Sequence, residues 1–372
     1  MWSIAVRTLI ADRGKLLTAL VGVIFSVVLV NVQGGLFLGM IRKAGLLIDH
    51  GEADIWVGHR DMHNVDFPRD IPRRWSQRIR SIPGVERAEP YLIGFGDMTL
   101  PSGGFEGVTV IGVQRNMLGG AWNFTQGSPQ SMLQPDGVVI DQGEDAKLEQ
   151  PRLGEIREIN GRRARVVAKT DGIMGFLVAP YVFTTYDRAA TLLGKTPGDC
   201  SYILVQLKPG VDPHAACEAI RQRIPEAEAA TRNQYSRTSI NFWMTRTGLG
   251  ISFGAATALG VLVGLVMVAQ TLYALVLDRL SEYGTLKAIG GDESQILRLL
   301  LAQATTMAAA GSLLGMFTVL LIQHFGSTSK APILIPAWLS MGSCLLVFVI
   351  CAVSSILPYL RIRKLDPVMV LQ

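Results

Sequence analysis

The segment nearest to nucleotide chemistry is "AATLLGKT" (189–196), which sets Gly194, Lys195 and Thr196 at the spacing of a phosphate-binding loop. Its first position is Ala189, where that pattern needs glycine. Such a loop joins a strand to the helix it opens, so that backbone N–H groups and the lysine surround the phosphates. Here a helical pattern leads into Gly194, and Pro197-Gly198 breaks the chain directly afterwards. Gly194 is therefore expected to cap a helix C-terminus. "GVVID" (137–141) resembles the strand that carries a metal-binding aspartate in such ATPases, but it precedes the loop. His59, Asp61 and His63 in "GHRDMH" are the right types for a divalent metal, and are expected to be solvated surface residues. No Ser/His/Asp set or carboxylate pair stands at a recognisable spacing. Cys200 and Cys217 could pair, although nothing in the sequence requires it; Cys344 and Cys351 lie seven apart in an apolar run, and no CxxC occurs. The expectation is a chain without catalysis of its own, without metal and without cofactor.

What must position these residues is set by an uneven distribution of charge. Charged side chains make up 17% of the chain, yet residues 16–41 and 247–277 carry none, and between Leu299 and Leu360 there is only Lys330. A spanning helix needs about 20 apolar residues, and a central charge costs about 2.5–3.5 kcal/mol. Four transmembrane helices follow, at 16–41, within 247–277, at 299–325 and at 332–360. The expected fold class is membrane α-helical (four transmembrane helices, 1+3) with an inserted extracytoplasmic α/β domain of two subdomains.

Basic residues gather at membrane edges: Arg7, Arg13 and Lys15; Arg279, Lys287 and Arg298; Arg361, Arg363 and Lys364. This is not the groove or stripe that binds nucleic acid. By the positive-inside rule both termini and the 278–298 loop are cytoplasmic, and residues 42–246 face outward. Trp2, Ala5, Val6 and Leu9 share one face opposite Arg7, so residues 1–15 are expected to form an amphipathic helix on membrane lipid. The first apolar run is too long for a signal-peptide core and lacks a small-residue cleavage site, so an uncleaved anchor is expected.

Along the outward region, "ADIWV", "AEPYLIGFGDMTL", "FEGVTVIGV" and "SYILVQLKPG" read as strands. "RDIPRRWSQRIRSIPG" reads as a helix with Asp70 as N-cap and Pro72 in its first turn. Asn160-Gly161 marks a hairpin, and Asp212 with Pro213 starts a helix. Strand–helix–strand units flank a hairpin-rich middle, which suggests a subdomain inserted at about 115–200. The second uncharged stretch would be about 46 Å long as one helix, and is expected to combine a stalk with the second span. Gly35/Gly39, Gly250/Gly254, Gly260/Gly264 and Gly311/Gly315 allow close helix approach. The polar residues of the spans (Asn31, Gln33, Gln270, Gln303, His324) include no ionisable chain of the kind a proton or ion path needs.

The most informative segment is cytoplasmic, "VLDRLSEYGTLKAIGGDESQILRLLLAQA" (276–304). Arg279 to Lys287 can form a short amphipathic helix stopped by Gly290-Gly291. Mixed charge around Tyr283, Leu286 and Ile289 suits docking into a partner's groove. The series Arg279, Glu282, Gly284, Leu286, Lys287, Ala288, Ile289, Gly290 resembles the coupling-loop signature of FtsX-like ABC permeases. Leu365, Asp366, Pro367 and Leu371 are similar to that family's closing motif. "GEADIWV" and "NGRRARVV" resemble the MacB-type periplasmic core, and the N-terminus looks closest to the DevC-type branch. One departure is Gln303, where the family often has Glu.

The resemblance implies a permease subunit of an ABC-type exporter in a bacterial inner membrane. It would pair with a second copy of itself and bind a separate ATPase subunit through Arg279, Glu282, Tyr283, Gly284, Leu286, Lys287, Ile289 and Gly290. It would work by mechanotransmission on an amphiphilic substrate handled outside the membrane, with a membrane-fusion adaptor. The alternatives are an FtsX-like regulator of cell-wall hydrolases and a membrane-anchored ligand sensor.

Overall fold

The computed structural model describes residues 11, 13–115, 117–177, 179–246, 248–278, 293–327, 332–356 and 359–360. The chain divides into two compact units, Met1–Gly39 with Gly250–Gln372, and Met40–Leu249. Among the described residues the first elements are α1 (Arg13–Lys43) and the short α2 (Leu46–His50). The outward unit continues through β1 (Ile55–His59), β2 (Ile71–Pro72), α3 (Trp75–Arg80), β3 (Val85–Thr99), β4 (Phe105–Val113) and β5 (Phe124–Gln126). Next come β6 (Gly137–Asp141), β7 (Ile156–Ile159), β8 (Arg162–Thr170), β9 (Tyr181–Thr185), α4 (Tyr186–Leu193), β10 (Asp199–Cys200) and β11 (Tyr202–Leu207). It closes with α5 (Pro213–Arg223), β12 (Ala227–Thr231) and α6 (Arg232–Arg246), before the long helices α7 (Leu249–Asp278), α8 (Glu293–Gly326) and α9 (Ala337–Ser354).

The outward unit is built on a ten-stranded sheet of order β12-β1-β11-β3-β4-β9-β6-β8-β5, with β7 against β3 and β8. Successive side chains of a strand point to opposite faces, and both faces here are covered. Ile55 and Val57 of β1 and Ile203 and Val205 of β11 enter one cluster, under α3, α4 and α5. Trp56, Tyr202 and Leu204 enter the other, with Leu47 and Ile48 of α2 and Tyr235 of α6. The 15-residue β3 runs through the whole: Val85–Tyr91 pair with β11, and Leu92–Thr99 pair with β4. We propose that the division into two subdomains passes through the middle of β3.

Local signals explain several elements. Asn160 (φ 51°) and Gly161 (φ 72°) both hold the left-handed conformation that a two-residue β7–β8 turn requires. Asp212 accepts from His214 N and Ala215 N, capping α5. The segment at 70–84 departs from its sequence pattern. Asp70 caps no helix; it forms an ion pair with Lys195. The residue before a proline is held extended, and Ile71-Pro72 accordingly pairs with β10 as β2. The helix is confined to Trp75–Arg80.

α1, α7, α8 and α9 are long and apolar enough to cross a membrane. α1 packs against each of the others. A Cβ on Gly264 would strike Ser26 Oγ, and one on Gly260 would strike Leu29. One on Gly315 would come within 2.8 Å of Val27 Cβ, and one on Gly311 would strike Val23. The glycines at 260/264 and 311/315 thus let α7 and α8 approach α1 within this one chain. Polar contacts reinforce the seams. Asn31 Nδ2 donates to Ser343 Oγ of α9 at 2.7 Å, and Ser354 Oγ donates to Leu265 O of α7 at 3.3 Å. Lipid tails give helices no hydrophobic reason to associate, so close packing and such bonds must hold the bundle.

Candidate functional site

The eight expected coupling residues Arg279, Glu282, Tyr283, Gly284, Leu286, Lys287, Ile289 and Gly290 lie outside the described residues. The two ends of their segment are described. Val276, in the last turn of α7, packs with Ile296 and Leu300 at the start of α8, and Leu299 and Tyr359 close over them. The last residue of α7, Asp278, is ion-paired to Lys15 of α1. The described ends of the two helices, on either side of the segment, therefore meet in one packed joint. Gln303, a turn beyond Leu300, is 1% exposed. Its Nε2 has no acceptor among the described residues.

The outward candidates have structural roles. Lys195 N donates to Ala190 O and Gly194 N to Thr191 O, closing α4 as a left-handed C-cap. Asp141 at the end of β6 accepts from Gly143 N, Ile173 N and Thr170 Oγ1, which occupies its carboxylate. His59 Nδ1 lies 2.7 Å from Arg60 O, and the His63 ring stacks on Phe242. Among the described residues no group of three His, Cys, Asp or Glu could hold a metal. Cys200 and Cys217 are free and buried. Burial pushes their thiols up to about 12 and about 11 respectively, so neither is a ready nucleophile.

A polar junction that sequence reasoning missed lies in the loop after β1. The Tyr202 and Tyr235 hydroxyls stand 2.9 and 2.8 Å from Asn64 O and 2.9 Å from each other. Two residues on, Asp66 is 2% exposed. It accepts from Trp243 Nε1 at 3.2 Å and Tyr181 Oη at 3.3 Å. Burial among these neutral groups raises its carboxyl to about 6. The same burial raises the Tyr181 phenol well above its ordinary value. Tyr235 and Trp243 both belong to α6, so one loop staples that helix to β9 and β11. Trp56 stands beneath, edge-on to Tyr91 and Tyr202 with centroids 5.4 Å apart. An aspartate inside "HNVDF" carries no local sign of this role; the one available signal was the density of Tyr and Trp among the strand residues.

Comparison with known proteins agrees with this architecture. Residues 16–223 match the MacB-like periplasmic core domain, and residues 254–367 match the FtsX-like permease C-terminal family. The first match alone covers more than half of the chain, and the protein belongs to the family of FtsX-like permeases with a MacB-like periplasmic core. It is a multi-pass membrane protein of the ABC transporter permease class, with an extracytoplasmic domain. An uncharacterized ABC transporter permease of Methanocaldococcus jannaschii is 22% identical over 58% of this chain and 57% of its own. The macrolide export ATP-binding/permease protein MacB of Agrobacterium fabrum is 26% identical over 62% of this chain and 37% of its own. The matched region therefore spans less than two thirds of either relative. The periplasmic region of MacB from Actinobacillus actinomycetemcomitans aligns at 11% identity and a TM-score of 0.41, covering 50% of this chain and 92% of that one. The family assignment rests on the two sequence matches.

Proposed function

We propose that the chain is the permease subunit of an ABC-type exporter that works by mechanotransmission. A separate ATPase subunit docks on residues 279–290, with both chain termini on the same cytoplasmic side of a bacterial inner membrane. Two copies act together, and a membrane-fusion adaptor receives an amphiphilic substrate outside the membrane. The observation that carries this reading is the joint of Val276, Ile296, Leu300 and Tyr359, which anchors both ends of the docking segment on spanning helices. A second supports it: the helix that precedes α7 in the chain is α6, which the Asn64–Asp66 loop holds to the sheet. Displacement of the segment then has a covalent route to the outward domain.

The test is charge reversal in the docking segment. Like charge against a docked partner can cost several kcal/mol. Glu282→Lys and Gly284→Leu are expected to insert normally and to lose co-purification with the ATPase or ATPase-linked transport. Normal association and transport in both variants would move the contact elsewhere. Orientation is checked separately: Asn160→Cys should react with a membrane-impermeant reagent in intact cells and Glu293→Cys should not.

A further inference from the structure

We propose that a cleft between α3 and α4 of the outward unit binds a phosphate or carboxylate group, carried by an organic anion. The cleft encloses a cavity of about 710 Å³ walled by Arg73, Arg80, Arg115, Gln77, Gln114 and Thr185. A second cavity of about 570 Å³ shares Arg73, Ser76 and Gln77 with it and adds Arg74. Both lie wholly within Met40–Leu249.

The wall is rich in donors, with three arginines against two carboxylates. Glu89 also lines the cavity, but its Oε1 takes Arg87 Nη2 at 2.7 Å and Nε at 3.0 Å. Asp187, at the rim, lies 3.8 Å from Arg73 and is largely exposed. Arg73 is held in place, its guanidinium stacked 4.6 Å over the Tyr186 ring. Such stacking fixes the fork of donors before a ligand arrives. Arg80 spends one Nη2 bond on Ala88 O, leaving the rest of its five donors. Arg115 makes no ion pair among the described residues. Gln114 Nε2 is buried without an acceptor. Guanidinium pairs with phosphate and carboxylate through two parallel bonds, stronger than neutral ones. The cavity is far larger than an inorganic phosphate, and exposed Leu133 on its wall offers an organic remainder an apolar contact. Nothing in this site depends on residues 279–290, so it stands apart from the coupling assignment.

The test uses the full chain purified in an uncharged maltoside detergent, with three probes measured by calorimetry: dodecyl phosphate, inorganic phosphate and dodecyltrimethylammonium. Dodecyl phosphate is expected to bind saturably, and inorganic phosphate to displace it. The loss of two charge-assisted contacts in Arg80→Gln/Arg115→Gln should weaken binding on the order of tenfold or more. The ammonium amphiphile should not compete. Inorganic phosphate binding as tightly as dodecyl phosphate would overturn the claim that an organic molecule carries the anionic group. Undiminished binding in the double variant, or equal competition by the ammonium probe, would overturn the proposal. Should the double variant fail to fold, Arg115→Gln alone decides, because its side chain lies on the surface.

Discussion

At Gly264 an added methyl group would run into Ser26 Oγ, whereas at Trp56 a whole indole fills the junction between sheet and helix. The two units solve the same problem with opposite materials. In water, burying a large side chain is itself favourable, so the outward unit gathers Trp56, Tyr91, Tyr202 and Tyr235 under its helices. In lipid, an apolar side chain gains little by leaving the tails for a neighbouring helix. The spanning helices therefore meet where side chains are small, and add single hydrogen bonds.

Trp56 is fully buried, and Trp→Ala in such cores costs about 3–5 kcal/mol. Trp56→Ala is expected to lower the outward unit's stability by that amount in denaturant unfolding of the purified chain. Leu313 of α8 is 74% exposed in the isolated chain, on the part of the helix after Arg298 that carries no Asp, Glu, Lys or Arg and that lipid would surround. Leu313→Ala should change stability by less than about 0.5 kcal/mol. Comparable losses in the two variants would remove the contrast.

The Asp66 carboxyl rises from 3.8 to about 6 in the folded domain, mainly through burial. Between those values the folded chain holds a proton that the unfolded chain has released. Linkage then requires stability to fall as pH rises through that window, and to level off above it. The full effect corresponds to roughly 3 kcal/mol. Asp66→Asn keeps a carbonyl acceptor for Trp243 or Tyr181 and cannot ionise. It should match the parent near pH 4 and exceed it near pH 7.5. A gap that stays constant across pH would assign the energy of the Asp66 contacts to packing alone.

Legibility followed the range of the interactions involved. The four apolar helices, the Asn160-Gly161 turn and the Asp212 cap depend on neighbours a few residues away, and each showed in the sequence. Ile71-Pro72 looked like the start of a helix because its strand partner, Asp199-Cys200, lies more than a hundred residues on. Asp66 was silent for the same reason: its partners are Tyr181 and Trp243. The Arg80 and Arg115 cleft is likewise assembled from distant segments. The coupling residues were singled out by a local signature, and they lie outside the described residues.

The smallest effect is also the most direct probe of the membrane unit. Asn31 is buried in α1, and its Nδ2 donates both to Val27 O at 2.8 Å and to Ser343 Oγ of α9 at 2.7 Å. In hydrocarbon an unmade bond should be expensive, which suggests a large loss on removing Ser343. The opposing effect is that Asn31 keeps its bond to Val27 within its own helix, and in the unfolded bundle it would find similar partners. Double-mutant cycles on interhelical bonds in membranes average about 0.6 kcal/mol for that reason. The cycle Asn31→Ala, Ser343→Ala and the double variant is therefore expected to give a coupling of about 0.6 kcal/mol in detergent unfolding of the full chain. A coupling above about 2 kcal/mol would mean that polar bonds rather than packing hold α1 against α9. A coupling of zero would leave that contact to packing alone.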